Sequence, residues 1–215
     1  MNELTFIHKD LYPTALKLVK NFVSKSETRP ILMYSLHTED GGMWATDSHR
    51  LINIQDIHGY EKELLVHAKS GMLAHGEFPK VDHLLSDTEK NSELSIILDK
   101  EKIQLWMILF KQIAAMEKAL KETFHASVKL NFADEGLNIE VLTGKIRMTL
   151  PGEVVKKPSK FDSISFSAEF MKQAMEAFMQ LESNEVKISF DGRNKPFLMT
   201  DSERVKILLL PIRTF

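Results

Sequence analysis

The chain has 215 residues, with no cysteine, 28 basic against 30 acidic residues and 43% hydrophobic content. This is the balance of a globular protein of one or two domains. It excludes a disulfide framework, a thiolate nucleophile and a thiolate metal site, so a cytoplasmic setting is expected. With a formal charge of -2, any contact with nucleic acid must come from local basic patches. No apolar run approaches the roughly 20 residues of a membrane span, and no membrane partner is expected.

Residues 12–25, YPTALKLVKNFVSK, predict an amphipathic helix with Leu16, Val19 and Val23 on one face, Pro13 in the first turn and Lys17, Lys20 and Lys25 among the polar positions. The runs ILMYSLHT and MWATDSHRLINIQ, joined by the turn signal EDGG, predict a β-hairpin. A further strand begins at ELLVH, and a linker is expected at residues 79–93, where Pro, Asp and Ser gather. ELSIILD predicts a strand, and the stretch from Lys100 to Phe124 an apolar helix with Lys111 and Lys118 on a shared face. SVKLNFADEGLNIEVLT reads as a hairpin turning at DEG, and KIRMTLPGEVVKK as one more strand. The rest reads strand, helix, strand, strand, strand, with Ser167 as N-cap of the helix. Strand–helix–strands thus occurs twice in the second part, an internal duplication of an α+β unit.

The stretch ATDSHRL holds Asp47, Ser48 and His49 in a row, the residue types of a hydrolase. Read as a strand, it sends successive side chains to opposite faces, which excludes a nucleophile–base–orienter array. The local alternative is that Asp47 and His49 cap a turn and Arg50 pairs nearby. His67, His75 and His83 recur at intervals of eight, which fits no helical or zinc spacing, so no metal is expected. No Gly-rich phosphate loop is present, and no cofactor is expected.

The order helix, hairpin, ATDSHRL, GEFPKVDHLL, then a duplicated unit closing with PFLMTD and LLLPIRTF, resembles the bacterial sliding clamp, the β subunit of the replicative DNA polymerase. The resemblance runs from about residue 4 to the end. It departs from the family pattern at Ser48, where the family has glycine, at His83, where arginine is common, and at Lys80, where aspartate is usual. It implies an α+β sliding-clamp (DNA clamp) fold with a truncated clamp domain over 1–87, like the family's middle domain, and a C-terminal clamp domain over 88–215. It also implies a non-enzymatic processivity factor that encircles duplex DNA, tethers a DNA polymerase and depends on a separate clamp loader.

By the same resemblance, Thr46, Ser48, His49, Arg50 and Leu51 line a groove for short linear peptides, with His83 and Pro196 beside it. Such a groove needs apolar walls and a few fixed polar groups. The walls fall to Leu32, Leu51, Pro79, Leu84, Leu208, Leu210 and Ile212; Pro211 and Arg213 belong to the tail motif, and Phe197 lies where the last domain closes the groove. Lys17, Lys20, Lys25, Lys111, Lys118, Lys121 and Lys172 are the candidates for loose, sequence-independent phosphate contacts, against the alternative of simply solvated lysines. Two readings follow from the short first domain: a homo-oligomeric ring, or a clamp-like adaptor that keeps the peptide groove without the ring.

Overall fold

The computed structural model describes residues 4–120, 127–133, 136–141, 145–156 and 161–213. The chain forms two compact units, Met1–Lys80 with Glu203–Ile207, and Val81–Ser202 with Leu208–Phe215.

The first unit opens with helix α1 (Tyr12–Val19), started by a proline in its first turn. It is shorter than its periodicity predicts. After Val19 the chain tightens into i to i+3 bonds, Asn21 N to Leu18 O and Phe22 N to Val19 O, so the buried face is Tyr12, Ala15, Leu18 and Val19, followed by Phe22. Leu16 and Val23, expected on that face, are only half-buried. A short 3-10 turn at Pro30–Met33 leads into strands β1 (Tyr34–His37), β2 (Met43–Thr46), β3 (Arg50–Ile54), β4 (Leu64–His67) and β5 (Leu73–Ala74). These lie in the antiparallel order β3-β2-β1-β4-β5. The run expected as one strand from Met43 is therefore itself a hairpin, with Thr46 opposite Leu51 and Met43 opposite Ile54. Gln55 N donates to Arg204 O at 2.8 Å, which ties the late segment Glu203–Ile207 to this unit.

The second unit begins with α2 (Asp82–Lys90), a helix where the sequence suggests a linker. Leu85 and Thr88 are its buried side chains, and the expected boundary at 87/88 falls inside it. β6 (Leu94–Asp99) runs straight into α3 (Lys100–Ala119), capped by the Asp99 carboxylate, which accepts from Lys102 N at 2.9 Å. Ile103, Trp106, Phe110 and Ile113 give α3 its buried stripe. β7 (Ser127–Ala133), β8 (Gly136–Val141), β9 (Ile146–Leu150) and β10 (Glu153–Lys156) follow. The single strand expected over KIRMTLPGEVVKK is thus split at Pro151–Gly152 into β9 and β10, which join different sheets. A Cβ on Gly152 would lie 2.6 Å from Leu137 Cδ1 and 3.0 Å from Ile96 Cγ2, so any larger residue would have to push these two side chains aside where the backbone crosses.

The repeat closes with β11 (Ser163–Ser167), α4 (Ala168–Gln180), β12 (Glu185–Phe190), β13 (Phe197–Thr200) and β14 (Val205–Leu209). Ser167 caps α4 as expected, accepting from Phe170 N at 3.4 Å. One sheet of the unit runs β10-β6-β12-β13 and the other β11-β7-β8-β9. α3 packs along α4. Between these layers a continuous run of rings, Trp106, Phe110, Phe166, Phe197, Phe190 and Phe132, forms the core, with neighbouring centroids 5.1 to 5.8 Å apart.

Candidate functional site: the β2–β3 turn and the exposed lysine faces

Asp47, Ser48 and His49 form the hairpin turn between Thr46, the last residue of β2, and Arg50, the first of β3, and local polar bonds fix its shape. Asp47 Oδ1 accepts from His49 N at 2.9 Å and Arg50 N at 3.1 Å, while its Oδ2 accepts from Arg50 Nε at 2.9 Å. Thr46 Oγ1 donates to Arg50 O at 2.7 Å and accepts from Ser48 N at 3.2 Å. The Asp47–Arg50 pair is well shielded, its side chains 15% and 9% exposed, and the guanidinium lies over the Phe22 ring at 5.1 Å. A shielded pair of this kind resists screening by salt and holds both residues in place.

Ser48 adopts φ 75, the left-handed region that favours glycine, so the family's glycine at this place answers a backbone requirement. Its hydroxyl accepts from Arg29 Nη1 at 2.8 Å. A guanidinium cannot take up a proton, so this contact does nothing to make Ser48 a nucleophile. Ser48 and His49 are exposed at the tip.

The apolar residues expected beside them divide by burial. Leu32 and Leu51 in the first unit are 6% and 2% exposed and support the turn from within; Pro79 is exposed. In the second unit Phe197 and Leu208 are core residues, 0% and 4% exposed, Phe197 stacking on Phe190. His83 and Leu84 stand exposed on α2, and Pro196 is half-buried. The tail is the more open part. Leu210 is 37% exposed, Pro211 and Ile212 are half-buried, Arg213 is exposed, and Ile212 N donates to Ser165 O at 2.7 Å.

Lys17, Lys20 and Lys25 are exposed in the first unit, and Lys111 and Lys118 on α3 in the second. The α3 face is mixed, because Ile108, 44% exposed, lies one turn before Lys111 on it. Lys172 is half-buried and donates to Glu169 Oε1 at 2.6 Å, so its charge is partly spent within α4. Lys121 falls outside the described residues. Among the described residues no group of three His, Asp or Glu is placed to hold a metal ion, and no helix is long and apolar enough to cross a membrane. A cluster that sequence reasoning missed lies in the first unit, where Tyr12, His37, His58 and Tyr60 meet; residues spread so far along the chain leave no spacing signal.

No family model matches the chain. Curated relatives do: it is 24% identical to the beta sliding clamp of Staphylococcus epidermidis, over 96% of this chain and 65% of the relative, and matches that of Staphylococcus aureus with the same identity and coverage. Among solved structures it superposes on the DNA polymerase sliding clamp of Bacillus subtilis with a TM-score of 0.76 at 22% identity, covering 100% of this chain and 67% of that one. The chain has the fold of the bacterial sliding clamps. The beta subunit of Streptococcus pyogenes gives a TM-score of 0.75 at 18% identity, again over 100% of this chain and 67% of that one. The sliding clamp of Bartonella birtlesii, solved bound to griselimycin, gives 0.70 at 16%, over 100% of this chain and 68% of that one. The chain spans 65% of the length of the curated sliding clamps it matches.

Proposed function

We propose that the protein is a non-enzymatic sliding clamp, a processivity factor that holds a DNA polymerase on duplex DNA and receives partner peptides. The observation that carries this reading is the joint match of sequence and fold to sliding clamps along 96% of the chain in sequence and 100% in structure. The first unit's turn at Thr46–Leu51 and the second unit's tail at Leu210–Arg213 are the two segments assigned to peptide contact. The turn offers a fixed backbone with Ser48 and His49 displayed; the tail offers partly exposed apolar side chains. Lys17, Lys20, Lys25, Lys111 and Lys118 are assigned to phosphate, and assembly into a ring with the help of a clamp loader belongs to the same reading. A second reading, a peptide-binding adaptor that does not encircle DNA, is favoured by Ile108, since exposed hydrocarbon beside Lys111 does not suit a face turned toward phosphates.

Retention on circular DNA separates the two. A clamp should be retained in a salt-dependent, sequence-independent way, and the double variant Lys111→Glu/Lys118→Glu should lose retention. Retention that the double variant leaves unchanged overturns the assignment of α3 to DNA. In calorimetry, a peptide carrying a clamp-binding motif should bind at micromolar concentration, about -8 kcal/mol. Leu210→Asp should weaken that binding without lowering the unfolding temperature. Peptide binding with no DNA retention at any salt supports the adaptor.

A further inference from the structure

The first unit contains a buried polar cluster that neither the DNA face nor the peptide segments use. We infer that Tyr12, His37, His58 and Tyr60 form an acid-sensitive latch, which fastens the N-terminal segment and the start of α1 to the sheet while its imidazoles are neutral and releases them when these are protonated.

The four members come from three parts of the unit. Tyr12 is the first residue of α1 and His37 the last of β1; His58 and Tyr60 lie in the loop after β3. Tyr12 Oη lies 2.9 Å from Tyr60 Oη and 3.3 Å from His37 Nε2. The His37 and His58 rings are 5.0 Å apart, His58 and Tyr60 4.6 Å, and His8 stacks on Tyr12 at 4.9 Å.

The bonds around His58 specify one protonation state. Its Nδ1 accepts from Tyr60 N at 3.2 Å, so the ring hydrogen sits on Nε2, which donates to Gly42 O at 3.0 Å. Both nitrogens are satisfied only in the neutral ring. A proton added at Nδ1 would face the Tyr60 N–H. His37 is fully buried, and its Nδ1 makes no hydrogen bond among the described residues; the Ser35 backbone is the one group that favours a proton on the ring, and burial outweighs it.

The loop that carries His58 also holds the N-terminal segment. Lys9 N donates to Ile57 O at 3.1 Å and Gly59 N to Ile7 O at 2.7 Å, around the antiparallel bridge of His8 with His58. On its other side the loop is pressed against the β1–β2 turn, where a Cβ on Gly41, at φ +82, would lie 2.6 Å from His58 O. On this proposal, losing the His58 bonds to Tyr60 N and Gly42 O loosens the two backbone bonds that the same loop makes to the N-terminal segment.

The charges that face the pair do little to hold a second proton. The Tyr12 phenol is raised by burial first and by Tyr60 next, so it stays neutral and supplies no anion. His58 is lowered by burial, against smaller opposing effects from its bond to the Gly42 carbonyl and from Asp40 in the β1–β2 turn, both of which favour its cation. His37 is lowered to about 4 by burial first and by His58 next, against a smaller opposing effect from the Ser35 backbone. The remaining neighbours are His8 and the exposed Lys9–Asp56 ion pair. An imidazole whose value falls on folding binds fewer protons folded than unfolded between its usual value near 6.5 and the folded one. The latch is therefore intact above about pH 6.5 and weakens as pH falls toward 4.

Hydrogen exchange on the full chain, expressed as protection factors at pH 7.5 and 5.0, tests this. The Lys9 and Gly59 amides should lose protection on the order of tenfold or more, while those of β6 and α3 keep theirs. His37→Phe should cut the loss to a few-fold. Unchanged protection in the wild-type chain, or an undiminished loss in His37→Phe, overturns the proposal. If His37→Phe does not fold, the imidazole Cε1–H resonances of the native chain decide: those of His37 and His58 should titrate below the usual value near 6.5, and ordinary midpoints for both are fatal.

Discussion

The second unit is built around a run of phenylalanine rings, and the first hangs its opening helix on a knot of tyrosines and histidines. Phe110, Phe166, Phe190 and Phe197 bury hydrocarbon alone, and hydrocarbon burial is non-directional and indifferent to pH near neutrality. Tyr12, His37 and His58 are buried and Tyr60 half-buried, and they bring polar atoms whose bonds depend on protonation. The first kind of core fails when volume is removed. The second fails when a single proton or carboxylate changes.

The largest effect expected from this contrast is in the second unit. Phe166 touches both Phe110 and Phe197 and is fully buried. Phe166→Ala should destabilise that unit by about 3–5 kcal/mol in urea unfolding, through lost burial plus a cavity. A cost below about 1 kcal/mol would show that the ring run is not what supports it.

A smaller and more local effect is expected at Asp47. Asp47→Ala removes acceptors from two backbone N–H groups and leaves the shielded Arg50 guanidinium without that carboxylate. The loss should be about 2 kcal/mol, seen in the amides of β2 and β3 and not in those of α4. An equal loss of protection in α4 would erase the contrast between the units.

The smallest change expected is at the tip of the same turn. Ser48→Gly relieves a left-handed φ but gives up the bond from Arg29, two effects that nearly offset, so the midpoint of unfolding should move by about 0.5 kcal/mol or less. A drop several times larger would make the Arg29 contact, and not the backbone angle, the feature that shapes the turn.

Local pattern alone was enough to read β6 followed by α3, the Ser167 cap on α4 and the closing strands β12, β13 and β14, because period and capping chemistry act within a few residues. Family resemblance was legible for the same reason, as short strings in a fixed order. What the sequence could not decide was wherever one run of residues serves two partners. MWATDSHRLINIQ and KIRMTLPGEVVKK each look like one strand, yet the carboxylate of Asp47 and the close crossing at Gly152 break them. DHLLSDTEK has the composition of a linker and becomes α2 because Leu85 and Thr88 find a surface to bury on. The candidate site divides in the same way. Exposure separated Leu210 and His49 from Leu51 and Phe197, which the sequence presents as equals, since burial depends on neighbours brought from far along the chain. The histidine cluster is the extreme case: His8, His37 and His58 have no pattern until α1 and the loop after β3 fold onto the sheet, and only that packing gives them their shared environment.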